Sequence, residues 1–217
     1  MKRSRLEIVL DVLHGSADAA LGTQAQAMPG YPFVTSVPFV LDERHRPVIL
    51  VSTLAEHTRN LAADPRASLM LRRSGTGGDV ARATLVGCFE PVDPPQLLVD
   101  RYKRYQPEAD SFLQLGDFGF RRMQVERIRT IGGFGQAGWL EGNRLRDAPW
   151  LALEDESELL VVLQGALPPD MTLLGLDLFG IDIDYRGERT RRNFAAPCTG
   201  AAELLTKALP MMDKTEI

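Results

Sequence analysis

The chain has 217 residues, 44% of them hydrophobic, enough to bury one substantial core or two smaller ones. A formal net charge of −4 carries no basic excess for nucleic acid, and no window approaches the ~20 apolar residues of a membrane span. Cys88 and Cys198 stand far apart with neither a CxxC nor a metal-ligand spacing, which fits a reducing cytoplasm and offers no metal site.

Arg3 to Leu13 sets Leu6, Val9, Leu10 and Leu13 at helical spacing, while Glu7 and Asp11 break the apolar run that a signal peptide needs. His14 follows that face and precedes Gly15-Ser16, so it reads as a helix C-terminal cap. Ala19 to Ala25 predicts a first strand, Met28-Pro29-Gly30-Tyr31 a turn, and Phe33 to Leu41 a second strand. Asp42 to Pro47 turns the chain into a third strand at Val48 to Val51, and His45 in that charged turn reads as solvated. Three strands joined by short turns predict an antiparallel meander.

Pro47 to Arg73 reads as strand, short helix, strand. Thr53-Leu54-Ala55-Glu56 fits a capping box, which puts Leu54, Thr58 and Leu61 on one helix face, and Asp64-Pro65 ends the helix. Unpaired amides and the dipole at the helix start, with the hydroxyls of Ser52, Thr53 and Thr58 and the imidazole of His57, make a candidate anion cradle. Glu56 opposes an anion there, and on these residues alone a capped surface helix is the better reading.

Ala67 to Leu71 is the next strand. Ser74-Gly75-Thr76-Gly77-Gly78 lacks the Lys-Ser/Thr ending of a phosphate-binding loop and reads as a surface turn. Ala81 to Val92 is a long strand, Pro94 to Tyr105 and Glu108 to Leu115 are helices, and Gln124 to Thr130 and Phe134 to Leu140 are two last strands around Gly132-Gly133. A polar stretch from Glu141 to Pro149 separates a domain of residues 1–145 from one of residues 150–217. In the latter, Glu154 to Leu163 is a helix and Thr199 to Leu209 a closing helix. Between them Leu176 to Tyr185 and Glu188 to Phe194 form a hairpin that sets Asp184 opposite Arg189 and Asp182 opposite Arg191. Asp182-x-Asp184 therefore reads as half of an ion-paired sheet face, not as a cation site. The fold class is mainly β with helices (α+β): a six- to seven-stranded antiparallel split β-barrel followed by a small α+β C-terminal module.

The runs LAEHTRNLAADPRASLML (Leu54 to Leu71), ARATLVGCFEPV (Ala81 to Val92), Asp117-Phe118 and IGGFGQAGWL (Ile131 to Leu140) resemble the pyridoxamine 5'-phosphate oxidase-like FMN-binding split-barrel superfamily, and within it the haem-utilisation (HugZ-type) branch. The resemblance implies a cytoplasmic homodimer with FMN in the groove between subunits. It implies that Ser52, Thr53, His57, Thr58 and Asn60 hold the flavin phosphate, that Arg82 approaches the flavin, and that Thr35 and Ser36 meet its ring. The activity it implies first is that of an FMN-dependent oxidoreductase, with the flavin carrying the redox chemistry and no catalytic acid or base to name. A haem-binding or haem-degrading barrel is the alternative, and a non-catalytic dimeric binding module is the third reading. Neither nucleic acid nor a membrane is an expected partner. The chain departs from the oxidases in lacking their Arg-x-His element, and its histidines are His14, His45 and His57. Haem iron would take one of those three, or an atypical cysteine or tyrosine.

Overall fold

The computed structural model describes residues 4–74, 80–132 and 136–212. Of the glycine-rich loop expected from Ser74 to Gly78, residues 75–78 lie outside the described residues, as do Gly133 of the turn expected at Gly132-Gly133 and Phe134 at the start of the expected last strand. The chain divides into two compact units, Met1–Pro94 with Glu108–Ala148, and Pro95–Pro107 with Pro149–Ile217.

The first unit opens with helix α1 (Arg5–His14). The Ser4 hydroxyl accepts the Glu7 N–H at 3.2 Å, and the Glu7 carboxylate accepts the Ser4 N–H at 2.6 Å, a complete capping box. Val9, Leu10, Val12 and Leu13 bury one face against the sheet that follows. That sheet comprises β1 (Asp18–Gln24), β2 (Pro32–Pro38), β3 (Val40–Leu41), β4 (Pro47–Ser52), β5 (Arg66–Ser74), β6 (Val80–Pro91), β7 (Phe118–Gly132) and β8 (Gln136–Glu141). Its antiparallel order is β2-β1-β5-β6-β7-β4-β3. The two ends of this path, β2 and β3, are separated in sequence by Phe39 alone, so the sheet must curl until its ends meet. The fifteen-residue β7 divides one edge between two partners, Phe118–Arg122 pairing with β4 and Arg127–Gly132 with β8. A bulge at Val86/Gly87 accommodates this change, and a Cβ at Gly87 would lie 2.0 Å from the Gln124 carbonyl oxygen.

The expected antiparallel pairing of the first three strands forms, with its middle strand divided: β1 pairs with β2, and β3 pairs with β4. The second partners, β5 for β1 and β7 for β4, come from further along the chain, and turn signals do not report them. The expected second strand is also broken after Pro38, whose missing N–H removes one ladder bond.

The second unit holds α3 (Gln96–Tyr105), α6 (Leu153–Gln164), β9 (Met171–Asp177), β10 (Gly180–Tyr185), β11 (Glu188–Asn193), α7 (Ala201–Ala208) and a 3-10 turn at Leu209–Met212. Helices α4 (Ala109–Gln114) and α5 (Asn143–Arg146) stay with the first. The three-stranded sheet runs β11-β10-β9 over a core that includes Leu163, Met171, Leu173, Leu176, Ile181 and Leu204. The hairpin turns at Arg186 and Gly187, both at positive φ, and pairs Asp184 with Arg189 and Asp182 with Arg191 as the sequence leads one to expect. Helix α3, which interrupts the strands of the first unit in sequence, packs here against β9 and α6. Its charges account for this. Arg101 meets the Glu156 carboxylate at 2.5 Å, and the Tyr105 hydroxyl donates to Asp182 at 2.7 Å. Arg191 lies between Asp177 at 2.9 Å and Asp182 at 3.3 Å. Burial pushes the Tyr105 phenol well above its ordinary range, so it remains a donor.

Candidate functional site

The turn between β4 and helix α2 (Glu56–Ala63) is fixed by one residue from the start of β7. The Thr53 N–H donates to the Asp117 carbonyl at 2.8 Å, and the Ser52 hydroxyl donates to the Asp117 carboxylate at 2.6 Å. The Ser52 oxygen in turn accepts the Leu54 N–H at 3.0 Å. This local bond bends the chain before any helix starts, so α2 begins at Glu56 with Ala55 as an N-cap that makes no side-chain bond. The capping box expected from Thr53 to Glu56 is therefore absent. Leu54, expected on the buried face, is 77% exposed, while Thr58 and Leu61 are buried as expected. Next to Asp117, Phe118 stacks on Phe112 of α4 with ring centroids 4.8 Å apart, which holds the end of β7 in place.

The structure gathers Ser52, Thr53, His57 and Thr58 on this turn and the first turn of α2. Thr53 is exposed, and Ser52 and His57 are half-buried. Partial burial lowers the His57 imidazole below its ordinary value of 6.5, so it is neutral at neutral pH. The Thr58 hydroxyl is buried with no hydrogen-bond partner among the described residues. Asn60 faces the interior. Its amide donates to Thr23 Oγ1 at 3.0 Å and its oxygen accepts the Gln26 N–H at 2.9 Å, tying α2 to the β1–β2 hairpin. Thr35 and Ser36 lie on β2 opposite Leu21 and Ala20, and exposed Arg82 lies on β6 between Arg72 and Ile131. None of these three is hydrogen-bonded to the turn among the described residues.

The histidines separate clearly. His14 and His45 are 2% and 1% exposed, and His14 Nε2 lies 2.9 Å from His45 Nδ1. The expectation that His45 is solvated fails because Asp42 closes its turn from within. The Asp42 carboxylate accepts from the Arg44 N–H, the Arg46 N–H and the Arg46 guanidinium, and its carbonyl accepts from the His45 N–H. His45 adopts φ 62° and points its ring inward. The cap of α1 is Gly15, whose N–H donates to the Asp11 carbonyl, so His14 does not serve as the cap. His57 is the histidine with exposed surface. Among the described residues no group of three or more His, Cys, Asp or Glu is arranged to hold a metal ion. Asp117 is the site residue that pattern reasoning missed: Asp117-Phe118 is among the runs that carry the resemblance, but nothing in the sequence ties Asp117 to the turn at Ser52.

A curled antiparallel sheet with this strand–turn–helix junction defines a split barrel. Residues 7–144 match the family described as CREG, beta-barrel, and the chain belongs to that family. The chain is similar to a chloroplastic heme oxygenase, HOZ, of Arabidopsis thaliana, with 33% identity over 136 residues, 62% of this chain and 42% of that protein. It is also similar to heme oxygenase HutZ of Vibrio cholerae, with 30% identity over 127 residues, 54% of this chain and 72% of that one. The chain thus spans less than half the length of the Arabidopsis relative. Among solved structures, a heme binding protein from Mycobacterium smegmatis superposes with a TM-score of 0.63 and 25% identity, covering 98% of this chain and 97% of the other. No helix among the described residues is long and apolar enough to cross a membrane.

Proposed function

We propose that this protein binds haem at the β4–α2 turn, with His57 as the iron ligand, and that haem is its cargo or its substrate. The observation that carries this reading is the state of the three histidines. His14 and His45 face each other in the interior, whereas His57 keeps exposed surface and a neutral imidazole, the form that ligates iron. Leu54, next to Thr53, and Leu115, two residues before Asp117, are both exposed and suit the apolar face of a porphyrin. The similarity to two heme oxygenases supports haem as the ligand class, and with it a haem-degrading enzyme. In such an enzyme the bound haem supplies the iron that activates dioxygen, and the protein supplies its position.

Titration of the purified protein with hemin tests this. A Soret shift that His57→Ala abolishes and His45→Ala retains is the expected result. A protein that leaves the hemin spectrum unchanged, or a shift indifferent to His57, overturns it.

The unpartnered Thr58 hydroxyl favours a second reading, an FMN-dependent oxidoreductase with the flavin phosphate at the start of α2. Asp117 and Glu56 weigh against it, since both bring negative charge to that position. In either reading we infer a homodimer. The solvent face of the sheet carries Val34, Met70 and Val86 on strands β2, β5 and β6 among the small residues Ala20, Gly22, Ser68 and Thr84, bordered by Arg72, Arg82, Arg127 and Arg129. An exposed apolar patch with a charged border suits pairing with a second copy.

A further inference from the structure

The Ser52–Asp117 contact has a consequence for which ligands the turn admits. Three donors of the β4–α2 turn, ahead of the first residue of α2, are the Ser52 hydroxyl, the Thr53 N–H and the Leu54 N–H. The first donates to the Asp117 carboxylate at 2.6 Å and the second to the Asp117 carbonyl at 2.8 Å. The third donates to the Ser52 oxygen at 3.0 Å. One residue therefore takes up this set directly or through its partner, and leaves its own negative charge at the turn. The carboxylate is not free to swing away. Its neighbour Phe118 pairs with Ser52 at the end of the β4–β7 ladder and stacks on Phe112 within 6° of parallel. Glu56, by contrast, stands in the first turn of α2 with no hydrogen bond or ion pair to the turn among the described residues, and its long side chain is free to turn into water.

We infer that Asp117 is the specificity-determining residue that keeps phosphate-bearing ligands, FMN among them, out of the β4–α2 turn. This deepens the reading of the turn as the ligand site: the site selects against a dianionic phosphate and admits ligands that bring none to that point. Asn at this position would keep the shape and the acceptor for Ser52 while removing the charge.

The test compares FMN with riboflavin, which share the ring and differ in the phosphate, by quenching of flavin fluorescence. The unaltered protein is expected to bind riboflavin more tightly than FMN, and added salt is expected to narrow the gap. Asp117→Asn is expected to raise FMN affinity by about tenfold or more, the scale of one like-charge repulsion near a protein surface, and to change riboflavin affinity by less than about twofold. Glu56→Gln is expected to give a smaller gain. A native protein that already prefers FMN, a variant that shifts both ligands equally, or a variant that binds neither flavin overturns the inference. The comparison in the unaltered protein stands even if the variant does not fold. A failed hemin titration sinks the haem reading without touching this comparison, so the two are judged separately.

Discussion

His14 and His45 share a single hydrogen bond inside the first unit, 2.9 Å from Nε2 to Nδ1, with their rings at 75° to each other. One nitrogen must donate and the other accept, so at least one of the two rings is neutral in the folded protein. The bond ties the end of α1 to the β3–β4 turn, thirty-one residues away in sequence. Replacing either histidine by alanine leaves the other without this partner in a closed interior. Each single change is expected to cost about 1–3 kcal/mol. The double change should cost less than the sum, because it removes both polar groups together. Urea unfolding of the three variants measures this, and full additivity would show that the bond contributes nothing.

The depressed His57 titration sets a pH dependence with a definite sign. Its folded value lies below the ordinary 6.5, so below that pH the unfolded chain binds more protons than the folded one. Stability from this group is therefore flat above 6.5 and falls as the pH drops below it. Thermal midpoints between about pH 5 and pH 8 should decline on the acid side, and His57→Gln should reduce that decline. The effect is modest because the ring is only half-buried. An unchanged acid slope in the variant would assign the decline to other groups.

Local patterns carried most strands of the first unit, the hairpin at Arg186-Gly187 and the helix over Glu56 to Ala63, because each rests on periodicity or on turn chemistry within a few residues; the apolar run from Leu176 to Tyr185 hides the break between β9 (Met171–Asp177) and β10 (Gly180–Tyr185). The split-barrel class was legible through the resemblance of those same runs. Three features were not. The turn at Ser52 is decided by Asp117, sixty-five residues away, so the nearer capping pattern misleads. His45 lies in a run of charges, and only the inward-facing Asp42 carboxylate, 2.7 Å from Arg46 Nε, shows that the turn folds over its own interior. Helix α3 sits between barrel strands in sequence, yet its partners Glu156, Leu174 and Asp182 arrive at least 52 residues later (104 to 156). Gly175 makes room for it: a Cβ there would fall 2.2 Å from the Tyr105 hydroxyl.

The Arg101–Glu156 pair is buried on both sides, and removing one partner leaves the other's charge without compensation. Arg101→Met is expected to destabilise the protein by about 3 kcal/mol, the lower end for a broken buried pair, because Arg104 stands 3.4 Å from the same carboxylate oxygen. Glu156→Leu strands two guanidinium groups and frees the Leu176 N–H that it accepts, so it should cost more. The double variant should be milder than Glu156→Leu alone. Chemical denaturation followed by far-ultraviolet circular dichroism reads all three, and a double variant worse than the sum would mean that packing, not charge, holds α3.

The solvent face of the sheet supplies the last expectation. Met70 lies at its centre, paired with Ala20 on β1 and Thr84 on β6, with Val34 and Val86 one row away. Trp139 at the far edge is exposed between Arg127 and Arg129, whose guanidinium carbons lie 4.9 Å and 5.7 Å from its ring centroid. If two copies meet through this face, one new charge at its centre is placed twice in an isologous interface and must be desolvated in both copies. Met70→Glu should therefore convert a dimer to a monomer at micromolar concentration, seen by sedimentation velocity, while the monomer keeps its native circular dichroism because Met70 does not contribute to the core. A Met70→Glu protein that sediments as the unaltered one does would place the contact between copies on another face.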